Sequence, residues 1–327
     1  MGKAKRSGEP SALYSPGTIG PLMRKQSILC DRSDDTPRNM PLTGSVIRNV
    51  PYSSKSDSQK LDLYLPHRAD RPYAVIVWFH PGGFFAGDKD GSGTIDPLSY
   101  VNLPRFFGPI LERGYAVASV NYRLSDEAIF PALIYDVKVS IRWIRANAAK
   151  YGLNQEKIGA WGSSAGGYLA AMLAVSGGVG ELEDFSLGNP GESSRICAAV
   201  DWYGPTDFLQ MDPQHVELGQ PELANDPASP ESRLIGGALP LYPEKCKASS
   251  PITYVSPESV PVYIQHGKQD DIVPYLQSVA FYERLEQAIG GEKAILEIVE
   301  NAGHADPLVF RSGNVNKMLD FLDGYLR

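Results

Sequence analysis

The chain has few cysteines, no excess of basic residues and no long apolar run. Three cysteines in 327 residues (Cys30, Cys197, Cys246) have neither the number nor the spacing of a disulfide framework or a metal knuckle, so no metal is expected. Cys197 lies in an apolar stretch and reads as a small core residue; a pairing of Cys30 with Cys246 stays open. Lys and Arg total 31 against 38 acidic residues, a formal net charge of −7. That balance excludes the basic face a nucleic-acid partner requires, and the early Lys3, Lys5, Arg6, Arg24 and Lys25 read as a solvated tail. No stretch approaches 18 apolar residues, so no membrane span is expected. No apolar segment follows the N-terminal charges, and the chain reads as cytoplasmic. Histidine is also scarce, at five, which shortens any search for a catalytic base.

What is present is a globular balance, 43% hydrophobic and 21% charged, with ample material for a core. Residues 1–40, rich in Gly, Pro, Ser and charge, read as an N-terminal arm, and 41–327 as one domain. Whether the arm folds over the site or supports a homodimer is left open. Strands are expected at Val46–Val50, Lys60–Leu65, Tyr73–Phe79, Tyr115–Asn121, Lys157–Trp161, Ile196–Trp202, Pro261–Gln265 and Ala294–Val299. Helices are expected after Pro131, over Ala165–Val175, Leu276–Ala288 and Val315–Tyr325. This alternation predicts an α/β fold: a mostly parallel eight-stranded sheet with helices on both faces. Residues 208–250 break the rhythm with Pro, Gly and acidic residues and one short helix starting at Ser229-Pro230-Glu231. An insertion of that length is read as a lid, with a mobile surface loop as the alternative.

The chemistry-bearing motif is Gly162-Ser163-Ser164-Ala165-Gly166. A serine hydroxyl is a weak nucleophile and must be held exposed beside a base at a sharp strand-to-helix turn. Strand and helix meet closely there, so the residues two before and two after must be tiny. Only Ser164 is centred between the two glycines. A second turn, His80-Pro81-Gly82-Gly83-Phe84, follows the third strand. Backbone N–H groups aimed at a developing oxyanion each contribute about 2.7–4 kcal/mol. Pro81 has no N–H, so Gly82 and Gly83 are the candidate donors, joined by Ala165.

Among the histidines, His80 belongs to that turn, His67 follows an early strand, His215 lies in the insertion, and His266 closes a strand and reads as a structural residue there. His304, in Asn301-Ala302-Gly303-His304 after the last strand, is the candidate base. The acid should lie between serine and histidine. Asp270 is preferred there to its neighbour Asp271; Asp207 ranks third and suits a turn or N-cap.

Together these pieces resemble the bifunctional feruloyl and acetyl-xylan esterases, α/β-hydrolases related to the hormone-sensitive-lipase-like carboxylesterases. The resemblance spans roughly 45–327. It rests on His80–Lys89, Asn121-Tyr122-Arg123-Leu124-Ser125, Phe130-Pro131 with Asp136-Val137-Lys138, and Trp161–Gly167. Asp201–Asp207, Ser250–Tyr254 and the segments around Asp270 and His304 extend it. One departure is Pro81, where related turns carry a first glycine; it stiffens the turn and bears on the acyl pocket. The resemblance implies the α/β-hydrolase fold, carboxylic-ester hydrolysis by Ser164, His304 and Asp270, no cofactor, and a small-molecule or carbohydrate-linked ester as substrate. Phe84, Phe85, Tyr168, Trp202 and Tyr203 are the expected pocket walls, suited to short acyl or aromatic esters. An amidase such as a formamidase shares the skeleton. A peptidase of the prolyl-oligopeptidase type would need an accessory domain for which 327 residues leave little room. A non-catalytic hydrolase-like binding protein usually lacks one of the three residues found here.

Overall fold

Alternate residues along each central strand face opposite sides of a sheet, and β3 shows the consequence. Val75, Val77 and Phe79 enter one hydrophobic core while Ile76 and Trp78 enter another. The computed structural model describes residues 44–67, 70–93 and 103–327, so the arm and Cys30 lie outside the described residues. Eight strands form the sheet: β1 (Gly44–Pro51), β2 (Lys60–Pro66), β3 (Tyr73–Phe79), β4 (Ala116–Val120), β5 (Leu153–Ser163), β6 (Ala198–Trp202), β7 (Val262–Gly267) and β8 (Ala294–Val299). Their order is β1-β2-β4-β3-β5-β6-β7-β8. The β1–β2 and β2–β4 pairs are antiparallel, and the remaining pairs are parallel.

The helices divide between the two faces. In chain order they are α1 (Leu103–Phe106), α2 (Gly108–Glu112), α3 (Ala132–Ala146), α4 (Ala148–Tyr151), α5 (Ala165–Val175), α6 (Met211–Glu217), α7 (Pro230–Ile235), α8 (Pro243–Ser249), α9 (Leu276–Ile289) and α10 (Ser312–Leu326). The first core takes side chains from α3, α5 and α9, and the second from α1, α2 and α10. The central helix α5 is buried along its whole length, which explains its Ala/Gly content: no face of it meets water. No helix of the described residues is long and apolar enough to cross a membrane.

Residues 208–250 hold three helices rather than the one expected. Only α7 carries a capping residue legible in the sequence, Ser229, whose hydroxyl accepts from Ser232 N–H. The segment joins the first core through Phe208, Met211, Ala224, Leu234, Ile235, Leu239 and Cys246. Its base is tied down by Gln277 of α9, whose Oε1 accepts from Thr206 N–H (2.8 Å) and Asp207 N–H (2.7 Å). Asp212 holds the middle, accepting from the backbone N–H groups of Leu223, Ala224 and Asn225, each at 2.8 Å. Cys246 is buried here. Cys197, expected in the core, is only half-buried: it precedes β6, and its thiol bonds the Glu156 carbonyl.

Candidate active site

The parallel strands β3, β5, β7 and β8 end on one edge of the sheet, where loops of an open α/β sheet converge. Ser164 follows β5 directly. Its backbone, at φ 54° and ψ −120°, sits in a sparsely populated region that costs about 1–3 kcal/mol. The two glycines of the motif are there for close approach. A Cβ on Gly162 would lie 2.2 Å from the Gly166 carbonyl oxygen, and one on Gly166 only 2.0 Å from that of Phe79. Without side chains at both positions, α5 crosses the ends of β3 and β5 at backbone contact. Ser164 N–H is anchored to the Trp202 carbonyl at 2.8 Å. The neighbouring Ser163 is wholly buried, so the centred serine alone turns toward the site.

Ser164 Oγ lies 3.0 Å from His304 Nε2, and His304 Nδ1 lies 2.7 Å from Asp270 Oδ2. A carboxylate can only accept here, so Nδ1 carries the proton and Nε2 presents its lone pair to the serine. Asp270 is saturated with donors. Its Oδ1 accepts from Ile272 N–H and Val273 N–H, both at 2.9 Å. Its Oδ2 also meets His266 Nε2 at 3.1 Å. Burial works to raise this carboxyl's pKa, but the adjacent His304 and the His266 and His304 hydrogen bonds outweigh it, holding Asp270 well below the usual carboxylate range.

His266, read from sequence as structural, is thus a second ligand of the acid. Its Nε2 also lies 2.9 Å from the Val273 carbonyl; facing two acceptors, Nε2 must bear the proton, and Nδ1 accepts from Ser278 Oγ at 2.7 Å. Its spacing of four from Asp270 was the only signal available. Asp271 and Asp207 stand apart from this chain of bonds. Asp207 caps a 3₁₀ turn by accepting from Leu209 N–H.

The glycine turn after β3 adopts positive φ at Gly82 (130°), Gly83 (57°) and Phe84 (67°). A Cβ on Gly82 would meet the Ala86 carbonyl at 2.1 Å, and that tightness comes from Ala86 N–H bonding the Gly82 carbonyl at 3.0 Å. His80 braces the turn from beneath. Its Nδ1 lies 2.8 Å from the Pro81 carbonyl, its ring stacks on Tyr122 at 4.4 Å, and burial pulls its pKa down to about 4. It is a neutral support.

The five expected wall aromatics are not brought together as one wall. Phe84 and Tyr168 pack against each other (5.2 Å) and against Phe208. Tyr203 sets its ring edge to face with His304 at 5.0 Å. Phe85 lies under the Arg233 guanidinium at 4.3 Å. Trp202 belongs to the opposite core with Trp78, Trp161, Phe106 and Phe310. The strand alternation that turns Ala199 into the first core turns Trp202 into the second.

Known proteins resemble this chain in sequence and fold. The chain is 32% identical over 258 residues to the esterase LipQ of Mycobacterium tuberculosis, covering 79% of this chain and 56% of LipQ. To the esterase LipC of the same organism it is 29% identical, covering 80% of this chain and 60% of LipC. The chain therefore spans little more than half the length of these curated relatives. A truncated carbohydrate esterase from gut microbiota superposes with a TM-score of 0.76 at 34% identity, covering 87% of this chain and 98% of that one. A bifunctional GH43-CE protein of Bacteroides eggerthii gives 0.74 at 33% identity, over 87% of this chain and 38% of that one. The BD-FAE family matches residues 61–285, a span that runs from β2 through the serine elbow and Asp270 to α9, and the chain belongs to that family of α/β-hydrolases.

Proposed function

We propose that the protein is a serine carboxylesterase that hydrolyses short-chain acyl or aromatic esters, of the acetyl and feruloyl kind, borne on small molecules or carbohydrates. The observation that carries this reading is the continuous bond chain from Ser164 Oγ through His304 to Asp270, at 3.0 and 2.7 Å. The relatives support it: LipQ and LipC are named esterases, and the truncated gut-microbiota protein is named a carbohydrate esterase.

In this mechanism His304 Nε2 takes the Ser164 proton as Oγ attacks the ester carbonyl. Asp270 keeps the imidazole in the required tautomer and stabilises the imidazolium. The negative oxygen is received by the N–H groups of Gly82, Gly83 and Ala165. Ala165 opens α5, where the first N–H groups have no partner within the helix. Collapse transfers the proton from His304 to the leaving alcohol, and water then clears the acyl-enzyme by the same route in reverse. The Phe84–Tyr168–Phe208 cluster is suited to one wall of an acyl pocket, and 208–250 acts as a packed lid over it.

The test pairs wild type with Ser164→Ala on p-nitrophenyl esters from C2 to C12, methyl ferulate and a matched formanilide. Turnover of the short ester should fall about 10⁶-fold in the variant, with a wild-type preference for ester over amide. Undiminished hydrolysis by the variant would sink the mechanism. A faster rate on the formanilide would replace esterase by amidase.

A further inference from the structure

The acid of the proposed triad is gripped at both oxygens, and the two grips differ in kind. Oδ1 of Asp270 is pinned by the N–H groups of Ile272 and Val273, both at 2.9 Å, which belong to the acid's own loop. Oδ2 carries the bond to His304 at 2.7 Å, so it is the oxygen that must not move. Pinned at Oδ1 alone, the carboxylate could swing Oδ2 along with the imidazole it has to hold. The second grip comes from His266, at the end of β7, whose Nε2 lies 3.1 Å from Oδ2 and 2.9 Å from the Val273 carbonyl.

His266 is held in its turn. Its Nδ1 accepts from Ser278 Oγ at 2.7 Å, and Ser278 lies on α9, so the ring is clamped between a strand end, the acid's loop and a helix. His266, Asp270 and Ser278 are all wholly buried, and in such a place the loss of a donor is not made good by bulk water. Tyr203 packs against both histidines, its ring centre 6.3 Å from that of His266 and 5.0 Å from that of His304. Its N–H bonds the Gln265 carbonyl at 2.9 Å, which sets it beside His266. Its φ of 45° is a strained value for a residue with a bulky side chain, kept only where the surroundings impose it.

From this geometry we infer that His266 is the positioning residue of the acid: it fixes Asp270 Oδ2 independently of His304, and Ser278 fixes His266. The inference rests on the triad reading and deepens it. During turnover His304 becomes an imidazolium as it takes the Ser164 proton, then passes that proton to the leaving alcohol. A misplacement of about 1 Å in such a relay costs about 10²-fold. The hydrogen bonds of His266 go to the acid, the acid's loop and α9, so its loss should act through Asp270.

The test is a double-mutant cycle on p-nitrophenyl acetate hydrolysis by the full chain, with Asp270→Asn as the second arm. His266→Leu should lower kcat about 10²-fold. His266→Gln, whose side-chain amide brings an N–H to nearly the place of Nε2, should recover kcat to within about fivefold of wild type. Ser278→Ala should lower kcat about threefold, as the ring loses one of its bonds. In the Asp270→Asn background, already slowed about 10⁴-fold, His266→Leu should cost less than about threefold more, because the acid it positions is gone. Losses that multiply in the double variant overturn the inference, since a residue that merely supports the fold lowers both backgrounds alike. Failure of His266→Gln to recover kcat overturns it too. If His266→Leu melts too low to assay, Ser278→Ala carries the cycle, its loss vanishing beside Asp270→Asn. A loss under tenfold in Asp270→Asn itself would remove the triad reading. A large loss there, with kcat unmoved by His266→Leu, would overturn this inference alone.

Discussion

The carboxyl edge of the sheet and the insertion at 208–250 meet at the same site but are built differently. At the sheet edge every functional group follows a strand: Ser164 after β5, Asp270 after β7, His304 after β8, the glycine turn after β3. Position there is set by backbones in contact, with side-chain Cβ atoms excluded at 2.0 to 2.2 Å. The insertion is held by side chains instead, Asp212 gathering three backbone N–H groups and Gln277 bonding its base. The first construction tolerates almost no change, while the second can be reshaped locally. The proposed chemistry, which needs sub-ångström placement, falls on the first.

That contrast can be broken or sharpened by four measurements. Asp270→Asn keeps the shape of the sheet edge but offers His304 the wrong partner, and kcat on a short ester should drop about 10⁴-fold. A loss under tenfold would show that Asp270 does not orient the base. Gly166→Ala should lower stability by about 3 kcal/mol or more, since the new methyl meets the Phe79 carbonyl and the elbow cannot relax without moving a strand. Chemical denaturation at constant slope measures this, and a neutral result would mean that strand and helix are not fixed at contact. Asp212→Ala should lower stability by about 1–3 kcal/mol as the three N–H groups it gathers lose their acceptor, with kcat on a short ester changed less than about threefold. A fall in kcat as large as that of Asp270→Asn would erase the contrast at this position.

The smallest effect is on pH dependence. Asp201 lies under the elbow, its Oδ1 accepting from Gly204 N–H at 2.9 Å. Burial pushes its pKa up to about 7 despite that bond, as it does for Glu231. A carboxyl raised above its unfolded value of about 3.9 contributes stability that is complete below that pH and fades as pH rises toward about 7. Asp270 has the opposite sign: its contribution is present above its unfolded value and fades only in acid. Melting temperature should therefore decline from about pH 4 to about pH 7. Asp201→Asn, which mimics the neutral form, should flatten part of that decline. An unaltered slope would show that Asp201 does not titrate in this window.

Much of the sheet was legible because buried parallel strands read as short apolar runs; β3 and β8 have the expected ends, Tyr73–Phe79 and Ala294–Val299. The helix α5 was legible from its small residues. The insertion was not, since α6 and α8 lack capping side chains and form because their apolar residues find the first core. The bond from His266 to Asp270 was not legible, because a histidine at a strand end gives no sign of which carboxylate its ring will meet. Trp202 was expected in the pocket wall, and strand alternation turned it into the second core.

By itself the sequence determined the order of strands and helices and singled out Ser164, Asp270 and His304, because backbone strain, donor chemistry and chain order each restrict which residue types can stand there. Only the tertiary structure decided which aromatics face which core, that Gln277 ties down the base of the insertion, and that Gln220 bonds the backbone of Asp270. Those contacts join residues far apart in the chain, and no local pattern encodes a distance between them.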